Sequence, residues 1–313
     1  MAKKASKKRP AKLAAVTGRV RKLSKKQARQ KAKKEAGKQP PIPGSFNLTR
    51  TVFANLRKFW KPLGGIFLVY LILNVVFASG FIGDINSSVG TVRNNLHSSH
   101  SLSKAISGYG TLLGSGAGGS QTSSVAQSAL LVLESLVIIW ALRRLLAGEA
   151  VRVKLAYYQS TAQLVPFALV IFVIILQLLP LTVGAALLAL VLSSAIGGSL
   201  LSVIFWVLLA LLAAWSIYML SSSVFALYIV TLPDMQPRQA LRSAKNLVRF
   251  RRWYILRRLL FLPICILLLM GLVMIPIILL LPFLATVVFF ILAMAAITFV
   301  HAYLYNLYRG LIA

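Results

Sequence analysis

Acids, cysteine and histidine are almost missing from this chain. Its 313 residues include 5 Asp and Glu, 1 Cys and 3 His, against 35 Lys and Arg. The single cysteine, Cys265, excludes an intramolecular disulfide, and its place inside an apolar run makes it a small packing residue. So few carboxylates leave little material for acid–base chemistry: Glu35 lies in a basic head, and Asp84, Glu149 and Asp234 stand at the ends of apolar runs. His97 and His100 share a loop but lack a third ligand type at metal-site spacing, which argues against zinc. No nucleophile elbow, phosphate loop or HExxH motif occurs either. The expectation is a protein that is not an enzyme and holds no cofactor.

Apolar length is abundant instead. Hydrophobic residues make up 58% of the chain and charged residues 13%, a balance that fits a polytopic membrane protein and not a soluble domain. The net charge of +30 is unevenly placed: 20 of the 35 basic residues precede Leu63, and 8 fall between Arg238 and Arg258. Residues 1–44 are Lys-rich and free of aromatics, cannot bury enough apolar surface to fold alone, and are expected to be a disordered cytoplasmic tail. The absence of an apolar h-region near Met1 argues against a cleavable secretory signal.

Residues 45–313 read as an all-α bundle of six transmembrane spans at about 63–82, 128–146, 164–192, 200–222, 259–279 and 282–305, since about 20 apolar residues cross a bilayer. Lys and Arg concentrate in alternate connections, which places both termini in the cytoplasm. Ser45–Lys61 carries Leu48, Val52, Leu56 and Phe59 at near-helical spacing and should lie in the interface, with Trp60 at headgroup depth. Asp84–Gln127 is Ser/Gly-rich and reads as an outer linker loop. The third run, with Pro166 and Pro180, is long enough to need tilt or a kink. The fourth should leave the membrane from Ser221-Ser222-Ser223 onward.

Two sets of residues stand out as candidate sites. Arg238, Arg242, Lys245, Arg249 and Arg252 follow at steps of four, three, four and three, which stacks them on one helix face beside Ala240, Leu241, Ala244, Leu247 and Val248. With Trp253 and Tyr254 as interfacial anchors, this is a surface for anionic lipid headgroups or a protein partner. The second set centres on Glu134, about six residues inside the outer end of its span, where an acid is costly unless partnered or hydrated. Asn74 and Gln177 fall in the same outer half. The three would line a polar path or tie helices by bonds worth about 0.6 kcal/mol each.

Two connections resemble a known group. Arg144-Leu145-Leu146-Ala147-Gly148-Glu149, then a short helix and Pro166, is similar to the inner connection of bacterial polytopic proteins related to the membrane domain of glycerophosphoryl diester phosphodiesterases. Leu232-Pro233-Asp234, then Gln239-Ala240-Leu241-Arg242-Ser243-Ala244 and a basic-aromatic run to Trp253, resembles that group's later connection, with Asp234-Met235-Gln236-Pro237 where Glu-Gly is usual. The resemblance runs from about Trp60 to the C-terminus. It implies a helical bundle in a bacterial inner membrane and no phosphodiesterase activity, which in fused members resides in a separate soluble barrel.

Three functions stay open on these residues. One is a non-enzymatic component that organises lipids or partner proteins, with the basic tail as an electrostatic arm. Another is a small-solute transporter or channel using Asn74, Glu134 and Gln177. The third is an accessory to membrane-protein insertion whose tail contacts a ribosome or other nucleic acid. The topology is directly testable in a Cys265→Ser background: a cysteine at Ser120 should react with an impermeant maleimide from outside and one at Lys245 should not, and the reverse pattern would sink it.

Overall fold

The computed structural model describes residues 44–77, 106–107, 109–110, 113, 121–194, 199–232, 235–249, 251–281 and 284–312. The Lys-rich tail, Asp84, Arg93, His97, Lys104, His100 and Asp234 lie outside the described residues. The described regular structure is helical: α1 Ser45–Lys58, α2 Trp60–Phe77, α3 Gln121–Leu146, α4 Val153–Ser160, α5 Leu164–Ser194, α6 Ser199–Val230, α7 Pro237–Val248, α8 Arg252–Leu280 and α9 Ala285–Ile312, with a 3₁₀ turn at Thr161–Gln163 between α4 and α5. Six segments are long and apolar enough to cross a membrane, Trp60–Phe77, Val125–Leu146, Val153–Leu188, Val203–Val230, Arg252–Leu280 and Val287–Ile312. The protein is thus a multi-pass membrane protein, as the six apolar runs predict.

Helix α9 is the hub, packing against α1, α2, α3, α6 and α8. Around it the buried apolar residues gather in two places. Tyr70, Met270, Met274, Ile278, Phe289, Phe290 and Met294 form one cluster, which also takes in Tyr109 from the expected linker loop. The Tyr109 hydroxyl donates to the Leu267 carbonyl at 3.0 Å and its ring rests against Gly271, so this part of the loop is anchored on α8. The other gathering lies at the opposite end, where Tyr228 of α6 is wholly buried and its ring meets those of His301, Tyr305 and Tyr308 on α9. By contrast α5 and α6 pair mainly with each other, and only 6% of the most apolar window of α6 is buried, against 50% for that of α3, so that hairpin turns most of its surface to lipid.

Helix α6 runs through the serines at 221–223 without a break and continues to Val230, with Ser221 and Ser223 buried. Their hydroxyls donate to carbonyls one turn back, Ser221 to Tyr218 at 2.7 Å and Ser222 to Met219 at 2.9 Å, so the helix carries them without exposing a polar group. Helix α1, expected in the interface, packs part of its apolar stripe on α9. Leu48 and Val52 are buried, Phe53 meets Phe299 at 5.3 Å between ring centroids, and Asn55 donates to Asn306 at 3.1 Å.

The end of the bundle that carries Arg143, Arg144 and Arg309, called the basic end below, is held by helix C-termini and their caps. Helix α3 closes in a Schellman motif: Glu149 N–H donates to Arg144 O and Gly148 N–H to Leu145 O, at 3.0 and 3.1 Å, with Gly148 at φ 87°. Arg144 pairs with Glu149 across the motif. Arg143 turns the other way and donates to the carbonyls of Tyr228 and Thr231 and to the Thr231 hydroxyl, capping the end of α6. These interactions separate by exposure. Arg143→Gln should destabilise the protein by about 1–3 kcal/mol, the cost of stranding part-buried acceptors. Gly148→Ala should cost about 1–2 kcal/mol through its left-handed backbone, and Arg144→Ala, on a surface pair, less than about 0.5 kcal/mol. Unfolding titrations in mild detergent check the order; Arg144→Ala costing as much as Arg143→Gln would contradict it.

Candidate functional site

The buried acid is reached from an unexpected direction. Gly65 lets α4 settle against α2, since a Cβ there would stand 2.7 Å from Val153 Cγ2. That contact points Tyr157 inward, and its hydroxyl lies 2.8 Å from Glu134 Oε2 and 3.2 Å from the Ile66 carbonyl. Glu134 is 1% exposed. A tyrosine hydroxyl has one proton and cannot donate to two acceptors at once. All three groups are satisfied when the carboxyl keeps its proton and donates to Tyr157, which then donates to Ile66. The arrangement ties α2, α3 and α4 together.

Asn74 belongs to the same neighbourhood. It lies one turn beyond Tyr70 on α2, both residues are buried, and the Tyr70 hydroxyl interacts electrostatically with Glu134 and Asn74. Neither amide atom of Asn74 makes a hydrogen bond of normal geometry. Helix α3 begins at Gln121, so Glu134 falls at mid-helix, about 13 Å from Arg143 at 1.5 Å per residue, and its partner comes from the connection at the basic end.

Gln177 does not join them. It lines a separate open cavity of about 230 Å³ between α5, α6, α7 and the start of α8, with Tyr218, Ser222, Lys245 and Arg252 among its walls. The three-residue cluster expected from the sequence is therefore divided: Asn74 and Glu134 lie together, and Gln177 sits beside basic residues. Helix α5 pairs chiefly with α6, and also meets α7 and α3.

The basic stripe is also redistributed. Arg238, Arg242 and Lys245 are exposed on α7, whose other face buries Ala240, Ala244 and Val248 completely. The helix ends at Val248 and Arg249 follows it, so the predicted continuation along one face stops there. Arg251 leaves helical geometry at φ −127°, ψ 20°, because the chain must turn from its run along α6 into α8. Arg252 opens α8, and its guanidinium lies 4.6 Å from the centroid of the Tyr218 ring. Trp253 and Tyr254 are 69% and 63% exposed.

Several residues of these sites carry no distinguishing sequence signal. Tyr157 and Tyr218 look like ordinary interfacial tyrosines, although a tyrosine in apolar surroundings must find a polar partner. His301, buried on α9 with Nδ1 3.2 Å from the Tyr228 hydroxyl, was not singled out from the sequence at all. Among the described residues no three His, Cys, Asp or Glu side chains gather as metal ligands. No protein-family model matches the chain, and no curated protein or solved structure matches it.

Replacement of the acid tests the tie. Glu134→Gln keeps a donor for Tyr157 and should leave stability within about 0.5 kcal/mol. Tyr157→Phe strands a buried carboxyl and should cost about 1–3 kcal/mol. Unfolding in detergent reads both, and a Gln variant as damaged as the Phe variant would refute the hydrogen-bond chain.

Proposed function

We propose that this protein is a non-enzymatic, multi-pass component of a bacterial inner membrane that gathers anionic phospholipid around its basic face, with both termini in the cytoplasm. The observation that carries the reading is the docking of α7: one face is buried to zero exposure at Ala240, Ala244 and Val248, and the other presents Arg238, Arg242 and Lys245. A helix fixed in this way holds its charges at a set position against the bundle. Lys and Arg next to spanning segments favour the cytoplasmic side, where anionic lipid supplies about 1 kcal/mol per basic residue near the surface. The Lys-rich segment 1–44 brings further positive charge that anionic lipid attracts. The resemblance to the membrane domain associated with glycerophosphoryl diester phosphodiesterases agrees with this reading in placing a lipid-facing bundle at its centre. The transport alternative needs Asn74, Glu134 and Gln177 to act together, and the place of Gln177 in a cavity beside Lys245 and Arg252 favours the lipid reading.

Quenching of tryptophan fluorescence by brominated lipids tests the proposal. In proteoliposomes of mixed phosphatidylcholine and phosphatidylglycerol, brominated phosphatidylglycerol should quench more than brominated phosphatidylcholine at equal mole fraction. The excess should shrink as salt shortens the Debye length from about 10 Å to about 3 Å. Deleting residues 1–37 should reduce the excess and leave thermal unfolding in detergent unchanged. Equal quenching by the two lipids at low salt would overturn the reading.

A further inference from the structure

The cavity that receives Gln177 has the chemistry of a phosphate site. Two cations from different helices converge on it, Lys245 from α7 and Arg252 from α8, and among the described residues no carboxylate lines it. Arg252 is held by its stack on Tyr218, which leaves the edge of the planar guanidinium able to donate two parallel hydrogen bonds to one oxyanion. Gln177 adds a different group: its Oε1 is buried and has no hydrogen-bond partner, an acceptor awaiting a donor. Met219 and Leu241 complete the wall with apolar surface. A space of about 230 Å³ is below the range of sites that enclose a drug-sized solute, and suits one small charged group.

The surroundings indicate where such a group comes from. Trp253 and Tyr254, next to Arg252 in the chain, and Trp215, one turn before Met219, are exposed aromatics of the kind that sit at headgroup depth. The outward faces of α5 and α6 beside the cavity are apolar and exposed. A ligand entering here meets cations and an amide at one end and hydrocarbon-covered helices at the other.

We propose that this cavity is a specific binding site for the phosphate of an anionic phospholipid, with Lys245 and Arg252 holding the oxyanion and Gln177 accepting a hydrogen bond from a headgroup hydroxyl. The proposal rests on the lipid-gathering reading and sharpens it from a diffuse basic face to one saturable position. It also separates residues of the basic stretch by role. Lys245 and Arg252 hold a ligand, and Arg238 and Arg242, which do not line the cavity, contribute field only.

Lipid titration of the full chain in detergent, followed by native mass spectrometry, tests the site. Phosphatidylglycerol, phosphatidylcholine and soluble glycerol phosphate serve as separate probes. The wild type should retain one phosphatidylglycerol more tightly than those that follow. Lys245→Gln with Arg252→Gln should weaken that first binding about tenfold, and Arg238→Gln with Arg242→Gln less than about twofold. Ser222→Phe, which fills the cavity and keeps every charge, should weaken it as the first pair does. Equal losses in the two double variants, or a tight lipid that survives Ser222→Phe, would overturn the site. Retention of glycerol phosphate with no preference for the lipid would overturn the lipid assignment. The two readings fail separately: loss of the overall phosphatidylglycerol excess in bilayers removes the gathering function, and persistence of that excess with no cavity-dependent lipid removes only the site.

Discussion

The carbonyl groups at the helix ends of the basic end set the terms for everything packed there. A helix leaves its last four carbonyls without intrahelical partners, and near hydrocarbon each unsatisfied one is costly. This chain answers with side chains from neighbouring helices. Arg143 of α3 takes the end of α6, Arg309 of α9 reaches the Leu146 carbonyl at the end of α3, and Thr231 donates to Tyr228 within α6 itself. The two arginine caps each join two spans. The arginines that would be counted only as topology signals thus also fix which helices are neighbours, and the tyrosines of α9 fill the space around Arg143 that water would otherwise take.

What could be read in advance followed from local rules. Apolar length marks a span wherever it occurs, so the six spans and the basic connections were legible from composition along the chain. Alternation of buried alanines with exposed arginines likewise foretold the two faces of α7. Other features follow no local rule. Ser221 and Ser223 are buried within a helix, where a serine hydroxyl can return its proton to a carbonyl one turn back. Helix α3 starts at Gln121, in a connection whose polarity gives no sign of it.

The grouping of Asn74, Glu134 and Gln177 shows the limit most clearly. Counting residues from a membrane face gives depth, but rotation about each helix axis decides which side chains meet. That rotation is fixed by contacts far away in sequence: Gly65 against Val153 turns Tyr157 toward Glu134, and Gln177 of α5 lines a cavity with α6 and α7. Neither contact has a pattern in one sequence. The same holds for Arg252, which a regular helix would have placed in line with Lys245 on one outward face. The break after Val248 brings both residues to a common cavity from two directions.

That break matters for how the basic face works. Charges spread on an exposed helix act on lipid through a field that salt shortens, and they favour any anionic headgroup alike. Charges that converge on one open cavity, with a fixed guanidinium plane and an orphan amide oxygen beside them, act through hydrogen bonds whose geometry is set before the ligand arrives. The cost of holding Arg252 in place is already met by its contact with Tyr218, so binding need not order a long free side chain. A protein with both arrangements on one face has a graded attraction that collects anionic lipid and a fixed position that retains one molecule of it. High salt should weaken the graded attraction more than the fixed position, because screening shortens a diffuse field while the direct hydrogen bonds of a stacked guanidinium to an oxyanion act at contact distance.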